Sequence, residues 1–169
     1  RATLFHMLSH RGGIPRIDGE ITPELLFDEK EILKRLCAAK PVSPSGTHLA
    51  YHAVTAGYIL GEVIKRVTGQ SVREYLAEHI EKPMGLDYFN YGLKPEYRAD
   101  VAMNYATGMH PGLGTDRYLK HVLGAGLQTA VDITNDTRFM DIICPAGNIY
   151  TSAEQSGRFF EMLLSGGEY

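Results

Sequence analysis

Between His52 and Thr68 the chain carries its most constraining pattern. Ala53, Ala56, Gly57, Leu60, Gly61, Val63, Ile64 and Val67 are apolar or small, while Thr55, Tyr58, Glu62, Lys65 and Arg66 fall on one narrow stripe at helical spacing. A helix this apolar around its circumference must be enclosed, and its small residues let neighbours approach closely. The pattern predicts a central helix with the polar stripe on its wet edge, where Glu62 and Arg66 form an i, i+4 pair. The following segment puts Val72, Tyr75, Leu76 and Ile80 on one face, the pattern of an outer helix packed on that centre.

Start and stop signals extend the helical reading to the rest of the chain. Asp28-x-x-Glu31, Ser71-x-x-Glu74 and Thr151-x-x-Glu154 have the form of capping boxes, and Thr22-Pro23 puts proline at a first helical position. Gly12-Gly13, Gly69 and Gly166-Gly167 stand where a left-handed cap would end a helix. Helices are expected at about 3–11, 22–26, 29–39, 52–68, 72–82, 115–124 and 152–164. Strand-like alternation is scarce, and no internal repeat is present. From Leu86 to Gly114, Pro95, Pro111, several Gly and many Tyr predict loop that lines a cleft. The fold class expected is mainly α.

Composition excludes several function classes. At 169 residues, 44% apolar and 22% charged, the chain has the size and balance of one globular domain. A net charge of −3, with both signs scattered, gives no basic stripe and argues against a nucleic-acid partner. No apolar run approaches the roughly 20 residues of a membrane-spanning helix. Cys37 and Cys144 lack C-x-x-C spacing, so both are expected to be small packed side chains, Cys37 beside Ile32, Leu33 and Leu36 and Cys144 in a loop before Pro145. The chain begins at Arg1 without Met or a signal-like segment, which suggests a piece of a longer protein.

His6 and His10 lie four apart, as do His48 and His52, a spacing that permits metal. A zincin needs H-E-x-x-H, however; Met7 follows His6, and no third ligand stands at a recognisable distance, so no metal site is expected. The glycine-rich stretch from Gly108 to Gly126 lacks the G-K-[ST] ending of a phosphate loop. No G-x-S-x-G occurs, and none of Ser9, Ser43, Ser45, Ser71, Ser152, Ser156 and Ser165 is followed three residues later by Lys. The chain shows no nucleophile of its own.

Three segments carry a family resemblance. They are Leu4 to Pro15 (LFHMLSHRGGIP), Pro44 to Leu86 with PSGTHLAYHA leading into GYILGEVIKRVTG and PMGL, and Pro145 to Gly167 (PAGNIYTSAEQSGRFFEMLLSGG). In content, order and spacing they resemble the middle of a beta-lactamase-related serine hydrolase. The resemblance implies a helical subdomain of the beta-lactamase/transpeptidase-like fold, lacking most of the α/β sheet domain. It makes residues 1–169 a single helical subdomain, with 87–143 as its variable, loop-rich part. Separated from its sheet, such a subdomain exposes apolar surface and is expected to self-associate.

In that family a serine of S-x-x-K attacks a carbonyl, the lysine takes its proton, the tyrosine of Y-x-N assists, and a later H/K-T/S-G strand binds the acyl group. Only the tyrosine element has a match, at Tyr51. Taken by itself Tyr51 is an aromatic anchor ahead of a buried helix; within the motif it is a proton-transfer group. A free phenol titrates near 10, so holding one as phenolate at pH 7 takes about 4 kcal/mol from nearby positive charge. In the family that charge is the lysine.

The triplet reads Tyr51-His52-Ala53, with alanine where the family has asparagine. The amide that could bind a substrate amide is absent, which resembles the carboxylesterase and lipase-like branch, since an ester has no N–H to satisfy. His52 either faces the cleft or simply begins the helix. At the other end Gly147 fits the family's P-A-G-G, and Asn148 replaces its second glycine. Gly147, Asn148 and Tyr150, with Thr151 beyond, are cleft candidates. The resemblance implies a small-molecule ester or amide substrate, no cofactor and no metal. Alternatives are a beta-lactamase or D-aminopeptidase/transpeptidase of the same family, and a non-catalytic binding module on the same fold.

Overall fold

Side-chain caps fix where most of the helices begin. The computed structural model describes residues 2–17, 22–108, 112, 114, 115, 117, 118, 120 and 125–169. Thr3 caps α1 (Leu4–Leu8) reciprocally with His6: each side chain accepts the other's backbone N–H at 3.3 Å. The helix is shorter than the expected 3–11, because Ser9 leaves helical geometry and His10 adopts a left-handed φ of 55°. Thr22-Pro23 starts a 3-10 turn, Pro23–Phe27, without a threonine cap. Asp28 caps α2 (Glu29–Ala38) through Glu31 N–H at 3.0 Å; the Glu31 carboxylate turns instead to Lys34 and Arg35.

The helix expected from His52 begins three residues later, as α3 (Thr55–Thr68), and ends at Gly69 with φ 77°. Its expected wet stripe is corrected at two positions. Thr55 and Tyr58 are buried, whereas Val67 is 79% exposed. A threonine can face inward when its hydroxyl finds a carbonyl, and Thr55 donates to Ile14 O at 2.7 Å. Tyr58 joins Ile17, Leu25, Ile32 and Leu36 in the first core cluster. Glu62 and Arg66 do pair on the surface, at 2.6 Å. Cys37 is exposed rather than packed, because α2 turns Ile32 and Leu36 inward; Cys144 is buried.

Ser71 and Glu74 complete the expected capping box of α4 (Val72–Leu76). The helix continues through a π turn, Ala77–Glu81, into α5 (Lys82–Met84), two residues past the expected end. Glu81 of that turn holds β1 (Phe89–Tyr91), accepting from Phe89 N–H and from the buried Asn90 side chain, both at 2.8 Å. Expected as loop, 86–114 thus contains a strand and a 3-10 turn at Pro95–Asp100. Beyond it lie two helices without a counterpart among those expected: α6 (Leu127–Thr134) and α7 (Thr137–Asp141), the latter capped by Asp136. The helix expected at 115–124 falls largely outside the described residues.

β2 (Ile149–Thr151) pairs antiparallel with β1, with Phe89 opposite Thr151 and Tyr91 opposite Ile149. Thr151 therefore ends a strand instead of capping a helix. Ser152 takes the cap of α8 (Ala153–Leu164), accepting from Gln155 N–H at 3.2 Å. Phe159 of α8 stacks on Phe89 at 4.6 Å beside the second core cluster of Met84, Leu86, Phe89 and Met162.

Candidate active site

Two segments far apart in sequence are zipped together around Tyr51. Val42 N–H donates to Gly13 O at 2.9 Å, Gly46 N–H to Arg11 O at 2.8 Å, and Ala50 N–H to His10 O at 3.0 Å. The close approach requires glycine at position 13: φ is 86°, and a Cβ there would lie 2.4 Å from the Ser43 carbonyl oxygen. This pairing carries the chain past Tyr51 in a fixed course and delivers it to α3.

Tyr51 is 65% exposed, with the edge of its ring against His10, centroids 4.9 Å apart at 69°. His52, in contrast, is 1% exposed and points into the protein. Its Nε2 accepts from Ile14 N–H at 3.1 Å, which leaves the ring proton on Nδ1 to donate to Ala50 O at 2.5 Å. Burial, and to a lesser extent His10 nearby, holds the basicity of His52 down, so the ring is a neutral strut. These commitments also explain the late start of α3: His52 N–H donates to His10 Nδ1 at 3.2 Å.

Gly147 and Asn148 lie on the turn that α3 packs against, and Tyr150 on the strand that follows it. A Cβ at Gly57 would stand 2.8 Å from Pro145 Cβ, so glycine there lets the Pro145–Ala146 backbone rest on the helix. Tyr91 donates to Pro145 O from the other side at 3.1 Å. Asn148 is 3% exposed and spends its whole amide on backbone. Its Oδ1 accepts from Cys144 N–H at 2.8 Å, and Nδ2 donates to Phe139 O at 2.8 Å and Ile142 O at 3.0 Å. It builds the turn and keeps no donor for a ligand. Gly147 sits on that turn with open space around its Cα.

Beside this turn opens a cleft of about 530 Å3, within the range of small-molecule sites. Tyr88, Leu93, Tyr97, Phe139, Gly147 and Tyr150 are among its walls. Tyr88 bonds Gly92 O through its hydroxyl, and Gln155 accepts from Tyr88 N–H at 2.9 Å. Burial pushes the Tyr150 and Tyr88 phenols above their usual range, so both are neutral hydroxyls at physiological pH. Tyr51 and His52 do not line this cleft; the predicted residues therefore form two groups, joined through α3 and the Pro145 turn.

Tyr88 and Tyr97 escape a reading from sequence, where their sole local signal is enrichment of tyrosine in a stretch poor in periodicity; His10 enters it only as half of the His6–His10 pair, not as a neighbour of Tyr51.

Comparison with known proteins identifies the fold. Esterase/beta-lactamase LipL of Mycobacterium tuberculosis (strain ATCC 25618 / H37Rv) is 25% identical over 177 residues, covering 98% of this chain and 41% of that protein. A family VIII carboxylesterase superimposes with a TM-score of 0.82 at 27% identity, covering 97% of this chain and 43% of its own. A penicillin-binding protein homolog from Caulobacter crescentus gives 0.79 at 26% identity, with 98% and 44% covered. The chain thus spans less than half the length of these relatives and corresponds to a mainly helical portion of their fold. The Beta-lactamase family model matches residues 1–169, and the chain belongs to that family.

Proposed function

We propose that this chain supplies the phenolic helper and one wall of the substrate cavity to a serine hydrolase that cleaves small-molecule esters through an acyl-serine intermediate. The observation that carries the reading is Tyr51, presented to solvent on a braced course at the head of α3. The attacking serine hydroxyl and its lysine lie outside residues 1–169 in this account, as does the strand that binds the acyl group. The serine oxygen bonds to the ester carbonyl and gives up its proton. Tyr51 passes that proton toward the departing alkoxide, and water then repeats the cycle on the acyl-serine.

Ester rather than amide chemistry is supported by Ala53, which offers no side-chain amide to a substrate N–H. The similarity to a family VIII carboxylesterase points the same way. On the enzyme that carries this chain, kcat/KM for a p-nitrophenyl ester is expected to exceed that for nitrocefin by about two orders of magnitude, the scale set by one unmatched polar contact. Equal or faster nitrocefin turnover would assign the site to beta-lactams instead.

A further inference from the structure

We infer that His10 is the positioning residue for Tyr51, clamping the backbone on both sides of it and bracing its ring. Ala50 N–H, just before Tyr51, donates to His10 O at 3.0 Å; His52 N–H, just after it, donates to His10 Nδ1 at 3.2 Å. The imidazole then meets the Tyr51 ring edge-on at 4.9 Å. One residue thereby fixes three consecutive positions. Tyr51 needs such a brace, because it is 65% exposed and, among the described residues, no group hydrogen-bonds its hydroxyl.

His10 reaches this position through an uncommon backbone. With φ at 55° it is, among the described residues, the one non-glycine residue in the left-handed region. That turn reverses the chain after α1 and aims both the carbonyl and the ring of residue 10 at residues 50–52. Glycine and asparagine adopt the same φ readily, which gives a test free of backbone strain. Asparagine keeps a side-chain acceptor without the ring; glycine keeps neither.

The inference rests on Tyr51 being the proton-transfer group, and the experiment separates the two. In isotope-labelled enzyme that carries the chain, amide exchange and Tyr51 ring resonances are followed for wild type, His10→Gly and His10→Asn. The Ile32 amide, bonded to Asp28 O, reports that the fold persists. In His10→Gly the His52 amide is expected to exchange about tenfold faster or more, with Ala50 unchanged, and the Tyr51 ring resonances to move toward unstructured values. His10→Asn is expected to keep His52 protected. In the enzyme that carries the chain, His10→Gly is expected to lower kcat about tenfold at constant KM, and His10→Asn to recover part of that loss.

Unchanged His52 exchange or unmoved Tyr51 resonances in His10→Gly would overturn the clamp. Altered resonances with unchanged kcat would overturn the positioning role if Tyr51→Phe is inactive. If Tyr51→Phe is also fully active, the catalytic reading of Tyr51 fails instead.

Discussion

Tyr51→Phe is expected to lower kcat for ester hydrolysis by about 10²- to 10⁴-fold in the enzyme that carries this chain, the range for losing a positioned proton-transfer group. The substitution removes one oxygen from a largely exposed ring and leaves the edge contact with His10 in place. Stability should therefore change by less than about 0.5 kcal/mol. Steady-state kinetics with urea unfolding on the same preparation check both halves. Wild-type kcat in the Phe variant would remove Tyr51 from the mechanism.

The second large effect is on stability. Asn148→Leu leaves the buried Cys144 N–H without its acceptor and takes a donor from each of the Phe139 and Ile142 carbonyls, all at or near the Pro145 turn. Each orphaned buried group costs about 1–3 kcal/mol, so a loss of roughly 3 kcal/mol or more is expected. Gly147→Ala, one residue away, meets nothing within 4 Å and is expected to be nearly neutral. Urea midpoints for the two variants make the contrast. An Asn148→Leu protein as stable as wild type would show that the amide does not hold the turn.

The sequence and the structure agree best where a signal is local. The Ser71–Glu74 capping box, the Asp28 cap and the left-handed Gly69 are each written in a few neighbouring residues and satisfied by them. The stretch from Pro44 to Leu86 also carried enough of its motif to identify the family.

What sequence left hidden depends on partners many residues away. His52 looked like a helix start, but its backbone and ring are claimed by His10, Ile14 and Ala50. Thr55 looked solvent-facing until the Ile14 carbonyl satisfied its hydroxyl. The one-residue shift of the α8 cap, from Thr151 to Ser152, follows from Thr151 pairing with Phe89 across the sheet. Helix α6 had a readable pattern in Leu127, Ala130, Val131 and Thr134, though it begins at Gly126 without a side-chain cap. At the site, the role of His10 rests on a backbone angle that no residue pattern announces.

The proposed mechanism divides the catalytic labour between this chain and the rest of the enzyme. It is tested most directly by treating the isolated 169-residue chain with a fluorophosphonate probe and weighing the product by intact-mass spectrometry. The predicted result is an unmodified mass, since a helper phenol without an activated serine has nothing with which to capture the phosphorus. A stoichiometric adduct on any serine of the chain would contradict it.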